Sequence, residues 1–237
     1  MFDLELITAH EKFDVLLFTD HWQQNDNIET ISIPRYTLAN HFLRANHIHG
    51  GVCCYVKNNL KFETIDLKMF CHELHFEVTA IKLLDSNTII CTLYRSPLGN
   101  FEIFISELEK GLTFLEPEKY KVIIAGDYNL NFALQNKQVE ICTDLFATYN
   151  LYGQVSKPTR PSGDCGTLID NIFTNVDDML HKVHEYKLSD HMAVLAAFPS
   201  NDQYQKTYIK RRCNINPKTI LAAKEAIKKL SLNYDTN

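Results

Sequence analysis

Apolar and polar positions are arranged in blocks along the chain. Short apolar runs are closed by turn residues, and a few stretches of helical period lie between them. Residues 14–19 (DVLLFT), 51–57 (GVCCYVK), 76–84 (FEVTAIKLL), 87–94 (NTIICTLY), 121–125 (KVIIA), 168–174 (LIDNIFT) and 193–198 (AVLAAF) are such runs. Their length and their Val, Ile and Phe content predict buried strands. Phe101, Phe104, Ile105, Leu108, Leu112 and Leu115 recur at helical spacing, as do Cys142, Leu145, Phe146 and Tyr149. A third stripe, Ile220, Ala223, Ile227 and Leu230, follows Asn216 and Pro217, a cap and a first helical residue. Residues 156–166 (SKPTRPSGDCG) read as a loop. Phe2, Leu6, Ala9 and Phe13 predict an amphipathic helix running straight into the first strand, so the chain opens inside an element. Many strands and few helices predict two sheets packed face to face with helices outside.

Composition narrows this. With 45% hydrophobic and 22% charged residues among 237, the chain can build a core, which excludes a disordered or collagen-like polymer. The longest apolar run, 192–198, falls far short of the roughly 20 residues that cross a bilayer. No membrane partner is expected. Residues 1–20 show no basic region followed by a long apolar core, so no secretory signal is expected. Seven cysteines, an odd number without a Cys-x-x-Cys pair, sit mostly in apolar runs as small hydrophobes. An intracellular location follows, nuclear or cytoplasmic. The net charge of −5 divides unevenly: residues 201–237 carry eight basic and three acidic side chains, leaving the first 200 at −10. Such a tail is either a solvated helix and linker or an arm that touches phosphates.

Four polar clusters interrupt strand ends, where a sandwich places a site. They are Gly126-Asp127-Tyr128-Asn129 after KVIIA, Ser189-Asp190-His191 before MAVLAAF, Asp170 inside LIDNIF, and Thr19-Asp20-His21-Trp22 after DVLLF. Each alone is more often an Asx-turn or a helix cap than a ligand. Together they supply carboxylates, an amide and an imidazole, an inventory suited to Mg²⁺-assisted attack of water on a phosphate ester. Trp22 and the tyrosines offer either stacking surfaces for bases or the edge of a core. His47, His49, Cys53 and Cys54, and Cys71, His72 and His75, are zinc-ligand types at spacings that match no closed tetrahedral site.

YRSP (94–97), GDYN (126–129), LIDNIF (168–173) and SDH (189–191), in that order, resemble the endonuclease/exonuclease/phosphatase superfamily. GGVCCYVKNNL (50–60) and QVSKPTR (154–160) narrow the resemblance to the endonuclease domain of non-LTR retrotransposons. The resemblance covers about residues 1–198 and implies an α/β fold of two mixed β-sheets in a four-layer sandwich. Residues 199–237 would be a basic linker and C-terminal helix, leading towards a reverse transcriptase in a longer polyprotein. It implies a nuclease that nicks DNA with Mg²⁺, Mn²⁺ being possible, and leaves a 3′-hydroxyl.

By the same resemblance, Asp20 is a metal-binding carboxylate and Asp190 lies beside the metal. Asp127 and Asn129 orient or deprotonate the attacking water and hold the scissile phosphate. Asp170 fixes the tautomer of His191, and Tyr94 hydrogen-bonds a phosphate oxygen. Arg95 is a phosphate candidate or a surface charge. Two departures stand out. The family carries Glu where this chain has Asp20, one methylene and about 1.5 Å longer. The family also opens with a strand ending in Asn, which is missing here. Both departures favour the alternative, a catalytically inactive relic that binds nucleic acid or protein.

Overall fold

The computed structural model describes residues 13–23, 25–162, 165–186 and 189–198. The helices expected within 2–12 and 220–230, and the basic tail, lie outside the described residues.

The largest element is a mixed six-stranded sheet. It is built from β4 (Phe62–Ile65), β5 (Glu77–Leu83), β6 (Thr88–Tyr94), β7 (Lys121–Asp127), β8 (Tyr152–Gly153) and β11 (Asp170–Thr174), in the order β4-β5-β6-β7-β11-β8. The β6/β7 pair is parallel and the others are antiparallel. A parallel pair needs a crossover, and α1 (Phe101–Leu115) supplies it. Asn100 caps α1, its side chain accepting from the Ile103 amide at 2.9 Å, and Asn136 caps α2 (Lys137–Thr148) in the same way.

Side-chain alternation divides this sheet between two cores. Val78, Ala80, Ile89, Cys91, Leu93, Val122 and Ile124 face the apolar stripes of the helices, Phe104, Leu108 and Leu112 of α1 and Cys142 and Phe146 of α2. Ile81 and Ile90 face the other way, onto Cys54 and Val56 of β3 (Val52–Lys57). That strand lies at the centre of a three-stranded antiparallel sheet, between β1 (Val15–Thr19) and β2 (Tyr36–Phe42). It is buried on both faces, which explains its unbroken apolar run. Ile123 and Ile172 pack with Val183 and Val194 of the antiparallel pair β12 (Leu180–His184) and β13 (Ala193–Ala197). An α/β architecture with face-to-face sheets is therefore present.

One expectation is corrected, and two features are added to the others. The stretch 156–166 is not only loop: β9 (Arg160–Ser162) and β10 (Cys165–Thr167) form a hairpin there. The strands β2 (YTLANHF), β4 (FETI) and β12 (LHKVH) gave no apolar run because polar side chains fill most of their exposed positions. The outer face of the three-stranded sheet carries no α-helix among the described residues. Ile28, from the 3-10 turn Asn25–Thr30, and Ile33 cover it instead. No helix among the described residues is long and apolar enough to cross a membrane. Cys53, Cys54, Cys71, Cys91 and Cys142 are free, and burial pushes the Cys53 and Cys71 thiols up to about 12.

Candidate active site

Strand register aligns the polar residues. Glu77 pairs with Tyr94, Tyr94 with Asp127, and Asp127 with Asp170, so one row of polar side chains crosses β5, β6, β7 and β11. Alternation puts this row on the face that carries Ile81, Ile90, Ile123 and Ile172, between the sheets. Gly126 permits the close approach of β7 to β6, because a Cβ there would lie 1.9 Å from the Leu93 carbonyl oxygen.

Beyond β7 the chain turns at Asn129, whose φ of 46° is in the left-handed region that asparagine tolerates. Its backbone amide donates to Asp127 Oδ1 at 2.9 Å, and its Nδ2 donates to Asp127 Oδ2 at 3.2 Å and to the Arg95 carbonyl at 2.7 Å. Arg95 is buried rather than a surface charge. Its Nη1 donates to the carbonyls of Tyr128 and Asn129, and its Nη2 to that of Gly99 at 2.7 Å. The guanidinium thus braces the GDYN turn.

His191 reaches the row from the segment before β13. Its Nδ1 lies 2.9 Å from Asp170 Oδ2 and 3.2 Å from Oδ1. Ligand atoms of Asp127, Asp170 and His191 all lie within 4.8 Å of one another. The hydrogen bond to Asp170 raises the imidazole's pKa against the opposing effect of burial. The Asp127 carboxyl is pushed up to about 7, first by burial and then by the charges of Asp170 and Asp20, with the Asn129 amide opposing. Burial, followed by the charges of Asp20 and Asp127, also raises the Tyr94 phenol.

Asp20 belongs to the opposite sheet, just after β1, with a left-handed φ of 52°. Its Oδ1 accepts from the Gly50 amide at 2.7 Å, and its own amide donates to the Gly51 carbonyl at 2.8 Å. Its charge is felt at Asp127 and Tyr94, yet it lies outside the Asp127–Asp170–His191 cluster. Asp190, which the resemblance puts beside the metal, is paired with Arg160. It is largely exposed and accepts from Arg160 Nε at 2.9 Å and Nη2 at 2.5 Å. Slight burial works against ionisation, but the Arg160 hydrogen bond and charge hold its carboxyl below the usual range.

Four positioning residues carried no role in the sequence. Thr159 Oγ1 accepts from the amides of Ile169 and Asp170, and its carbonyl accepts from the Met192 amide at 2.6 Å. The QVSKPTR motif therefore clamps Asp170 beside His191, and Arg160 holds the residue before it. Glu77 is fully buried and paired with Arg44 at 2.6 Å. Its oxygens also accept from the amides of Leu74 and Gly51, which ties the Gly50-Gly51 turn beside Asp20 to the larger sheet. Burial raises the Glu77 pKa despite these donors. A charged residue heading the apolar run FEVTAIKLL was a signal for Glu77; nothing in the sequence marked Arg44 as its partner.

The fold defined by these sheets is that of the endonuclease/exonuclease/phosphatase structures. The endonuclease domain of TRAS1, a telomere-specific non-LTR retrotransposon, superposes with a TM-score of 0.62 at 13% identity, over 82% of this chain and 89% of that one. The 3′ phosphatase NExo from Neisseria, bound to a product DNA hairpin, gives 0.58 at 12% identity, over 82% and 92%. Humanized TDP2 from D. rerio gives 0.54 at 14% identity, over 81% and 89%. No family model and no curated protein matches the sequence.

Proposed function

We propose that the chain is a divalent-metal-dependent phosphodiesterase that nicks DNA as a retrotransposon-type endonuclease domain. The observation that carries this is the row of buried Tyr94 and Asp127 and half-buried Asp170, closed by His191. The likeness to the TRAS1 endonuclease domain supports the retrotransposon reading.

In the proposed reaction a water oxygen forms a bond to phosphorus while the bond to the 3′-oxygen breaks; the departing 3′-oxygen takes a proton from solvent, leaving a 5′-phosphate and a 3′-hydroxyl. Asp127 takes the proton of the attacking water, a role that suits a carboxyl held near neutrality. Asn129 fixes Asp127 through two hydrogen bonds. With Nδ1 engaged by Asp170, Nε2 is the nitrogen of His191 that meets a phosphate oxygen, and the raised pKa keeps a proton there. Tyr94 donates its phenolic proton to another phosphate oxygen. In a retrotransposon the freed 3′-hydroxyl would serve a reverse transcriptase.

The donor set fits a hard divalent cation: ligand atoms of Asp127, Asp170 and His191 lie within 4.8 Å of one another, and the charged form of Asp127, disfavoured by burial and by the charges of Asp170 and Asp20, is one that a cation would favour. Asp20 would hold it, and Asp190 would join only by releasing Arg160. Such an ion, Mg²⁺ or Mn²⁺, would supply charge neutralisation at the phosphate. The withdrawal of Asp190 into an ion pair favours the alternative of a binding module without activity. Nicking of supercoiled plasmid decides between them. Relaxed circles that form with Mg²⁺, stop with chelator and carry a polymerase-extendable 3′ end establish the hydrolase; intact supercoils with retained DNA binding establish the binding module.

A further inference from the structure

We propose that Trp22 and His49 form a stacking platform for an unstacked nucleobase of the strand whose phosphate is cleaved. The proposal rests on the hydrolase reading above, but concerns residues outside the hydrolytic row. Trp22 is 60% exposed and belongs to no core cluster. Its ring meets the exposed His49 imidazole edge-on, with centroids 4.2 Å apart at 65°. Ile48, 70% exposed, extends the apolar surface. A large amphipathic ring left open in this way is a surface suited to a flat partner.

The backbone supports this placement. Trp22 and His49 have φ of 60° and 65°, in the left-handed region that residues with a β-carbon avoid unless their surroundings impose it. Here the surroundings do. The Trp22 amide donates to the Gly50 carbonyl at 3.1 Å, Arg44 Nη1 donates to the Ile48 carbonyl at 3.2 Å, and the Gly51 amide donates to Glu77 Oε2 at 2.7 Å. Both halves of the platform therefore hang from the buried Arg44–Glu77 pair. The strain brings two rings together on the surface, where nothing in the core requires them; among the described residues no other ring packs on either.

Position selects the occupant. Trp22 lies two residues beyond Asp20, whose Oδ1 is bound by the amide of Gly50, the residue after His49. The charge of Asp20 acts on Asp127, so a strand with its phosphate at Asp127 and His191 would carry its neighbouring base past this turn. Aromatic rings hold bases by their faces with little regard to sequence. In a duplex both faces of a base are covered by neighbours, so the platform takes a base that is flipped out, terminal or single-stranded.

Trp22 is the only tryptophan in the chain, so its emission reports on the platform alone. The full chain, in chelator to prevent cleavage, is titrated with a single-stranded oligothymidylate. The control is an abasic oligonucleotide of the same length and charge. Quenching by the thymidylate is expected, with binding of the abasic strand at least about fivefold weaker. By anisotropy of the labelled thymidylate, Trp22→Ala raises Kd about five- to a hundredfold, whereas Trp22→Phe keeps most of the affinity. Equal quenching by both strands would mean contact with the phosphates alone and overturn the platform. Emission that does not respond, in a chain that nicks plasmid, overturns it too and leaves the hydrolase standing. Quenching by the thymidylate in a chain that never nicks upholds the platform and removes the hydrolase.

Discussion

Tyr94, Asp127 and Asp170 owe their alignment to strand register, whereas Asp20 and Trp22 owe theirs to left-handed loop residues braced by a buried ion pair. The first half is secured by ladder hydrogen bonds and by Thr159, which ties the Asp170 and Met192 amides together. The second hangs on one carboxylate, Glu77, through Arg44 and the Gly51 amide. Register tolerates surface substitution, because moving one residue means slipping a whole strand. A brace made of one buried charge pair fails when either partner is removed. The two halves should therefore fail differently when perturbed.

The largest effect is expected at the register half. His191→Ala should lower nicking by about 10²–10⁴-fold, the usual span for a lost acid–base partner, in a variant that still folds. Asp170→Asn should fall in the same direction while metal binding, read by calorimetry, is retained. Normal nicking by both would reduce SDH to a turn before a strand.

Next comes the brace. Glu77→Gln leaves the Arg44 guanidinium buried and uncompensated and should cost about 3–5 kcal/mol in denaturant unfolding. Pairing Glu77→Leu with Arg44→Met should restore much of that stability. Activity should stay low, because the Gly51 amide still lacks its acceptor. Recovery of both together would show that Glu77 serves only the fold.

The register half was largely legible in the sequence and the braced half was not. GDYN, LIDNIF and SDH sit at ends of apolar runs, so the same pattern that marks the strands marks the candidate site. The identity of β1, β3, β5, β6, β7, β11 and β13 followed from their apolar runs. What escaped depends on contacts distant in the chain. Arg44 and Glu77 are 33 residues apart, and neither spacing nor composition relates them. Asp190 was legible as a carboxylate beside His191 but not as the partner of Arg160, 30 residues away. Arg95 likewise shows its buried role only once the Tyr128 and Asn129 carbonyls are seen against it.

A smaller effect separates the clamp from the row it holds. Thr159→Val removes the acceptor for two backbone amides in a fully buried position and should cost about 1–3 kcal/mol. Nicking should fall with it, because Asp170 loses its anchor. A variant as stable and as active as the parent would mean that the ladder alone sets the dyad.

The smallest effect is on stability against pH without metal. Asp127 is raised on folding to about 7, so its favourable contribution is full below its unfolded value and is lost as pH climbs to about 7. His191, also raised, loses its contribution as pH rises through its folded value. His21, His41 and His75, lowered by burial, push the other way, so the readable quantity is a difference. Asp127→Asn should gain on the parent in melting temperature between pH 5 and pH 8, by about 2–4 °C per kcal/mol relieved. An unchanging difference would mean that Asp127 carries no raised pKa.

The most direct test of a hydrolytic row is plasmid nicking by the parent chain beside Asp127→Asn at the same saturating Mg²⁺. The substitution removes a charge at nearly constant volume in a site where Asn129 and Arg95 hold the turn independently. The expected result is relaxed circles with the parent and at least about a hundredfold slower nicking with a fully folded variant. Equal rates would contradict the assignment of Asp127, and with it the row as a catalytic site.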